Sequence, residues 1–139
     1  MMLSQTAEYA LRAVLYIAAH EQLVHVDEIA AAVGVPHNYL SKTLHQLVRA
    51  GVLASARGPT GGFRLAVAAD RLTLQHVVSR FADQGGRRCL LGHGTCGEVP
   101  ECAAHARWSP VATQLHEFFA TTTVAALLSP PLRPPEVIS

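Results

Sequence analysis

Apolar residues recur at helical spacing from the start of the chain: Ala7, Ala10, Leu11, Val14 and Ala18 share one face, and Leu15 and Ile17 widen it. With Ser4 as N-cap, the pattern predicts a largely buried helix over 4–20. A second, short helix starts near Asp27, a capping residue type, passes through Ile29 and Ala30 to Val33, and stops at Gly34. After Gly34-Val35-Pro36 the periodicity resumes over 37–50, with Leu40, Leu44, Leu47 and Val48 in one stripe and Gly51 just past the end. A short helix, a tight glycine turn and a longer helix make a helix-turn-helix pattern.

Residues 52–57 and 63–65 then read as two strands joined by Gly58-Pro59-Thr60-Gly61-Gly62, a hairpin that serves as a wing. A fourth helix is predicted over 73–81, with Leu74, Val77 and Val78 facing inward. Periodicity lapses over 83–104, where glycines multiply and all three cysteines fall. Ser109 and Pro110 mark a further helix start, with Trp108 at its entry and Val111, Leu115, Phe118 and Phe119 as its apolar stripe. So aromatic a stripe in so small a chain either packs back on the core or pairs with its copy across a two-fold axis; we expect a homodimer. Pro130, Pro131, Pro134 and Pro135 cannot continue a helix, so a mobile tail is expected. The fold class is mainly α: a winged helix-turn-helix with a small β-hairpin and a long C-terminal dimerisation helix.

Charge distribution points to a partner. The formal net charge is only +1, but no acidic residue stands between Glu28 and Asp70, while Lys42, Arg49, Arg57 and Arg64 do, together with His37 and His45. On the third helix the face opposite the apolar stripe carries Asn38, Lys42, His45, Gln46 and Arg49, all hydrogen-bond donors. A helix exposed only to water would mix in Asp or Glu; a helix meant for an anionic groove would not. Double-stranded DNA is the expected partner. Asn38, Tyr39, Ser41 and Lys42, in the first turns, are the expected base contacts, with His45 beside them and Arg49 on phosphate. Arg57, Gly61 and Arg64 are the wing's expected contacts.

Composition closes off other classes. Half of the 139 residues are hydrophobic, 15% are charged and the mean hydropathy is +0.23, which is too apolar for a disordered chain and sized for one domain with an appendage. No apolar run reaches the roughly 18–20 residues that span a bilayer, and the first residues lack the pattern of a secretory leader. A cytoplasmic protein with no membrane partner is expected.

Cys89, Cys96 and Cys102, followed by His105, are spaced C-x6-C-x5-C-x2-H in a polar, glycine-rich stretch. Buried structural cysteines would be scattered through the helices, so metal ligation is the better reading. Thiolates suit zinc or an iron–sulfur cluster, and Arg87 and Arg88 help hold negative charge there. Zinc favours paired C-x2-C knuckles, which are absent. A metal-free thiol switch stays open at this stage. An enzyme does not fit, because a Cys102–His105 nucleophile pair lacks a visible orienting group, oxyanion site or pocket.

Five stretches together resemble one family: Glu8-Tyr9-Ala10-Leu11-Arg12-Ala13, Asn38-Tyr39-Leu40-Ser41-Lys42, Leu47-Val48-Arg49-Ala50-Gly51, Arg57-Gly58-Pro59-Thr60-Gly61-Gly62-Phe63, and Cys102 through Trp108. They are similar, over almost the whole chain, to the winged-helix regulators that include the iron–sulfur cluster regulator IscR and the nitric oxide sensor NsrR. The resemblance implies a homodimeric repressor with a cysteine-rich loop over 83–107 following the 1–82 DNA-binding domain, a dimerisation helix over 108–129 and a tail over 130–139. It implies a cluster held by Cys89, Cys96 and Cys102, with iron status, nitric oxide or redox stress as the signal. His105 as fourth ligand implies [2Fe-2S]; Glu8 supplied by the other subunit implies the [4Fe-4S] alternative. A cluster-free thiol or zinc-containing regulator of the same fold is the alternative function. Ser41 replaces a glutamate of IscR, so that protein's two-class site recognition does not carry over. The operator is expected to be pseudo-palindromic, with half-sites about one helical turn apart.

Overall fold

The computed structural model describes residues 3–81, 91 and 103–128. Cys89, Cys96 and Cys102, most of the expected loop and the whole of the expected proline-rich tail lie outside the described residues.

The Ser4 hydroxyl accepts from the Ala7 N–H at 3.1 Å and starts α1 (Gln5–Ala18). Ala7, Ala10, Ala13, Val14 and Ile17 of this helix are buried, and the three small alanines let the neighbouring helices gather round it. In α2 (Val26–Val33) the cap is His25, not Asp27: its Nδ1 accepts the Asp27 N–H at 3.2 Å. His25 has the extended backbone that a cap needs, whereas Asp27 already lies in the first helical turn. Gly34, at φ +72°, closes α2 and turns the chain into α3 (His37–Arg49).

Leu40, Leu44 and Leu47 of α3 are fully buried, and Val48 lies at the edge of the stripe. Buried Thr43 satisfies its hydroxyl by donating to the Tyr39 carbonyl at 3.2 Å. The wing pairs β1 (Leu53–Ala56) antiparallel with β2 (Gly62–Leu65), from Leu53 opposite Leu65 to Ala56 opposite Gly62. Val24 adds one further rung, exchanging two 2.9 Å hydrogen bonds with Phe63. That rung demands glycine at 62: a Cβ there would meet the Val24 carbonyl oxygen at 2.6 Å.

The expected helix over 73–81 is shorter, α4 (Leu74–Val78). Thr73 caps it in a reciprocal box with His76, and Leu74, Val77 and Val78 are buried as predicted. The C-terminal helix departs most from expectation. It begins four residues before Ser109, as α5 (His105–Thr121), so Pro110 lies inside it and offers no N–H to the Ala106 carbonyl. Nor does it run unbroken to 129. The β-branched run Thr121-Thr122-Thr123-Val124 favours extended backbone, and Thr122 takes it. The break docks on the entry to α4, with Leu74 N–H to Thr122 O at 2.9 Å and Val124 N–H to Leu72 O at 2.7 Å, and α6 (Val124–Leu128) follows. The apolar stripe divides accordingly. Ala112 is buried and Phe119 packs on the core, while Val111 and Phe118 remain 44% and 48% exposed.

The architecture is the expected one, mainly helical with a two-stranded wing. No helix among the described residues is long and apolar enough to cross a membrane. Since Leu44 is fully buried where α3 meets the core, Leu44→Ala should cost about 2–5 kcal/mol in chemical denaturation; a loss under about 1 kcal/mol would mean that this seam is not close-packed.

Candidate nucleic-acid interface

Burying Leu40, Leu44 and Leu47 fixes what α3 shows to solvent. At about 100° per residue, Asn38, Lys42, His45 and Arg49 fall within a sector of roughly 60° opposite the leucines, and all four are exposed. Ser41 is half-buried and lies toward the Val48 side of that sector. Tyr39 lies about a quarter-turn from its centre and is turned onto α1, with its ring edge-on to Tyr9 at 5.5 Å between centroids and its hydroxyl bonded to that of Thr6. The His45 ring meets Phe63 edge-on at 5.8 Å and so joins the helix face to the wing.

On the wing, Arg57, Gly58, Pro59 and Thr60 form the exposed tip and Arg64 stands on β2. Gly61 is buried instead: a Cβ on it would collide with the Ala56 carbonyl oxygen, and its N–H donates to the Gly58 carbonyl at 2.9 Å. Gly61 therefore shapes the turn, and the accessible backbone is at 57–60. Among the described residues no carboxylate pairs with Lys42, Arg49, Arg57 or Arg64; Arg64 makes only a long 3.4 Å bond to the Leu65 carbonyl. The N-terminus of α3 has no side-chain cap and no acidic residue in its first turn, which leaves N–H groups for water or an anion. His37, by contrast, has a carboxylate beside it, with its Nε2 3.1 Å from Asp27 Oδ1; the other Asp27 oxygen lies 3.4 Å from His25 Nδ1.

Of the expected cluster ligands, His105 is the half-buried first residue of α5, and Glu8 is exposed in the first turn of α1, where the helix dipole favours a carboxylate. Among the described residues no three His, Cys, Asp or Glu side chains gather into a metal site; the three cysteines are not among them. Three features were not anticipated from sequence: the Tyr9–Tyr39 pair, the Asp27–His37 contact and the buried Gly61. Tyr9 and Tyr39 are thirty residues apart, and only the packing of α1 against α3 brings them together.

A family model described as Rrf2, iron-dependent transcriptional regulator, matches residues 3–130. The chain belongs to the Rrf2 family. Among Rrf2-like relatives, a protein of Aquifex aeolicus named as an HTH-type transcriptional regulator is 36% identical over 133 residues, which cover 93% of this chain and 92% of that one. The HTH-type transcriptional regulator IscR of Vibrio vulnificus is 29% identical over 131 residues, covering 93% and 78%. Among solved structures, CymR, the global cysteine regulator of B. subtilis, superposes with a TM-score of 0.76 at 22% identity over 92% of this chain and 96% of that one. IscR of T. potens superposes with a TM-score of 0.71 at 22% identity, over 92% and 86%. The chain is thus a DNA-binding transcription regulator of winged-helix fold and not an enzyme.

The wing arginines carry a direct test. Arg57→Ala and Arg64→Ala should each weaken binding to all duplex sequences alike and lower the salt slope by about one unit. Unchanged affinity and slope in both would take the wing off the DNA.

Proposed function

We propose that this chain is a homodimeric, iron–sulfur-cluster-dependent repressor that acts in the cytoplasm and senses iron status, nitric oxide or redox stress. The observation that carries the DNA reading is the exposed, acid-free face of Asn38, Lys42, His45 and Arg49 beside the wing cations Arg57 and Arg64, which pair with no carboxylate among the described residues. Asn38, Ser41 and Lys42 are the proposed base contacts, and Arg49 and the wing arginines the phosphate contacts. A pseudo-palindromic operator follows from two copies related by a two-fold axis. Support for the dimer comes from α5, where Val111 and Phe118 stay exposed together, one above the other, about a quarter-turn from the packed Ala112 and Phe119.

The donor set fits a cluster. Three thiols and an imidazole are ligand types that iron–sulfur centres take, and Cys89, Cys96, Cys102 and His105 would hold it as [2Fe-2S]; Glu8 of the partner subunit is the alternative fourth ligand, with [4Fe-4S]. Such a group supplies, when bound, a centre sensitive to oxidants and nitric oxide. The protein's own contribution is placement: His105 begins α5, so the proposed site adjoins the helix on which the two copies meet.

Anaerobically purified protein should show visible absorbance with matching iron and acid-labile sulfide, abolished in the Cys89/Cys96/Cys102 triple Ala variant. His105→Ala should alter the spectrum and Glu8→Ala leave it unchanged; the reverse pattern assigns the fourth ligand to Glu8. Colourless protein after anaerobic reconstitution with iron and sulfide contradicts the proposal. Bound zinc, or reversible disulfides without metal, would then mark the alternative regulator of the same fold.

A further inference from the structure

The side chain of Tyr39 is engaged by α1 rather than presented with the donors. Its hydroxyl is hydrogen-bonded to the Thr6 hydroxyl and its ring meets Tyr9 edge-on. Tyr9 is itself braced: its hydroxyl accepts from Gln5 Nε2 at 2.8 Å, and the Arg12 guanidinium lies over its ring at 5.8 Å. Gln5, Thr6, Tyr9 and Arg12 thus form one ridge across the first two turns of α1, and Tyr39 rests on it.

This contact falls where α3 is otherwise weakly restrained. Burial of α3 begins at Leu40, and the turn before it, which holds Asn38, has no side-chain cap. Among the described residues, the only polar contact made by its other side chains is the exposed His37–Asp27 contact. Direct readout of base edges needs side chains held to about 0.5 Å.

We infer that Tyr39 is a positioning residue: clamped by Thr6 and Tyr9, it sets the angle at which the first turn of α3 enters the major groove, and it reads no base itself. The inference rests on the reading of α3 as the recognition helix. It removes Tyr39 from the expected base contacts and assigns α1 a part in specificity.

A duplex selected by the wild-type chain from a random-sequence pool serves as the probe, together with its single-base-pair variants and one unrelated duplex. Tyr39→Phe keeps the ring and loses the hydroxyl bond; Thr6→Val loses the same bond from α1, which carries none of the donor face. Each should weaken affinity for the selected duplex about 2- to 10-fold, the effect of one hydrogen bond. The double variant should be no weaker than the poorer single one. Discrimination should fall together at every base pair that Asn38 and Lys42 read, while affinity for the unrelated duplex and the salt slope hold. Thermal melts check that each variant is folded. Wild-type behaviour of Thr6→Val, with Tyr39→Phe flattening preference at one base pair, would make Tyr39 a base reader and overturn the inference. Wild-type binding by both variants overturns it too. A wild-type chain that selects no sequence overturns the recognition-helix reading beneath it, and that outcome is visible before any variant is made.

Discussion

What the chain presents to DNA depends on the burial of Leu40, Leu44 and Leu47 in the core around α1. Each fully buried leucine contributes roughly 1.5–3 kcal/mol relative to exposure, so rotating α3 about its axis would sacrifice several of these terms together. The helical period then leaves no choice about the opposite face: Asn38, Lys42, His45 and Arg49 must point outward. Alanines at 7, 10 and 13 of α1 contribute by being small, since they let neighbouring helices approach its axis. The wing is registered to the same seam. Val52 N–H donates to the Leu47 carbonyl at 3.0 Å at the end of α3, and Phe63 of β2 is bonded to Val24 before α2. Helix face and wing tip are therefore parts of one rigid surface, which is what simultaneous contact with base edges and phosphates requires.

The C-terminal half is organised by the opposite logic. Thr122 and Thr123 interrupt the helix and bond to the segment before α4, so Val124 is buried in the core. The body of α5 is thereby held with Ala112 and Phe119 inward, and Val111 and Phe118 are left to solvent. In the proposed dimer this outward edge becomes the seam between copies, and the spacing of the two recognition helices is set by how α5 is anchored.

Much of this was legible in the residues because local chemistry and tertiary packing agree. Ser4, Gly34 and Gly51 stand where helix boundaries fall, and the period of Leu40, Leu44 and Leu47 identified both the buried face and the donor face. Misreadings arose where they disagree. Asp27 is the better cap by residue type, yet His25 has the required backbone and an acceptor nitrogen. Ser109-Pro110 is a start signal that α5 overrides by beginning at His105. A Thr-rich run looked like a continuation of an apolar helix, and only its pairing with residues 69–74 shows why it breaks. Tyr39 was expected on the donor face, and nothing local announces the contact with Thr6 and Tyr9 that turns it onto α1. Gly61 likewise marked the wing correctly, while its burial follows from the Ala56 carbonyl above it.

The central claim is that the outward face of α3, in two copies, reads the major groove. Hydroxyl-radical footprinting with dimethyl-sulfate interference on the selected duplex tests it most directly. The proposed dimer predicts two protected patches on one face of the duplex, centred about 10 base pairs apart, with interference from major-groove methylation inside each patch that Lys42→Ala relieves. Protection without fixed position, or binding indifferent to major-groove methylation, would contradict it.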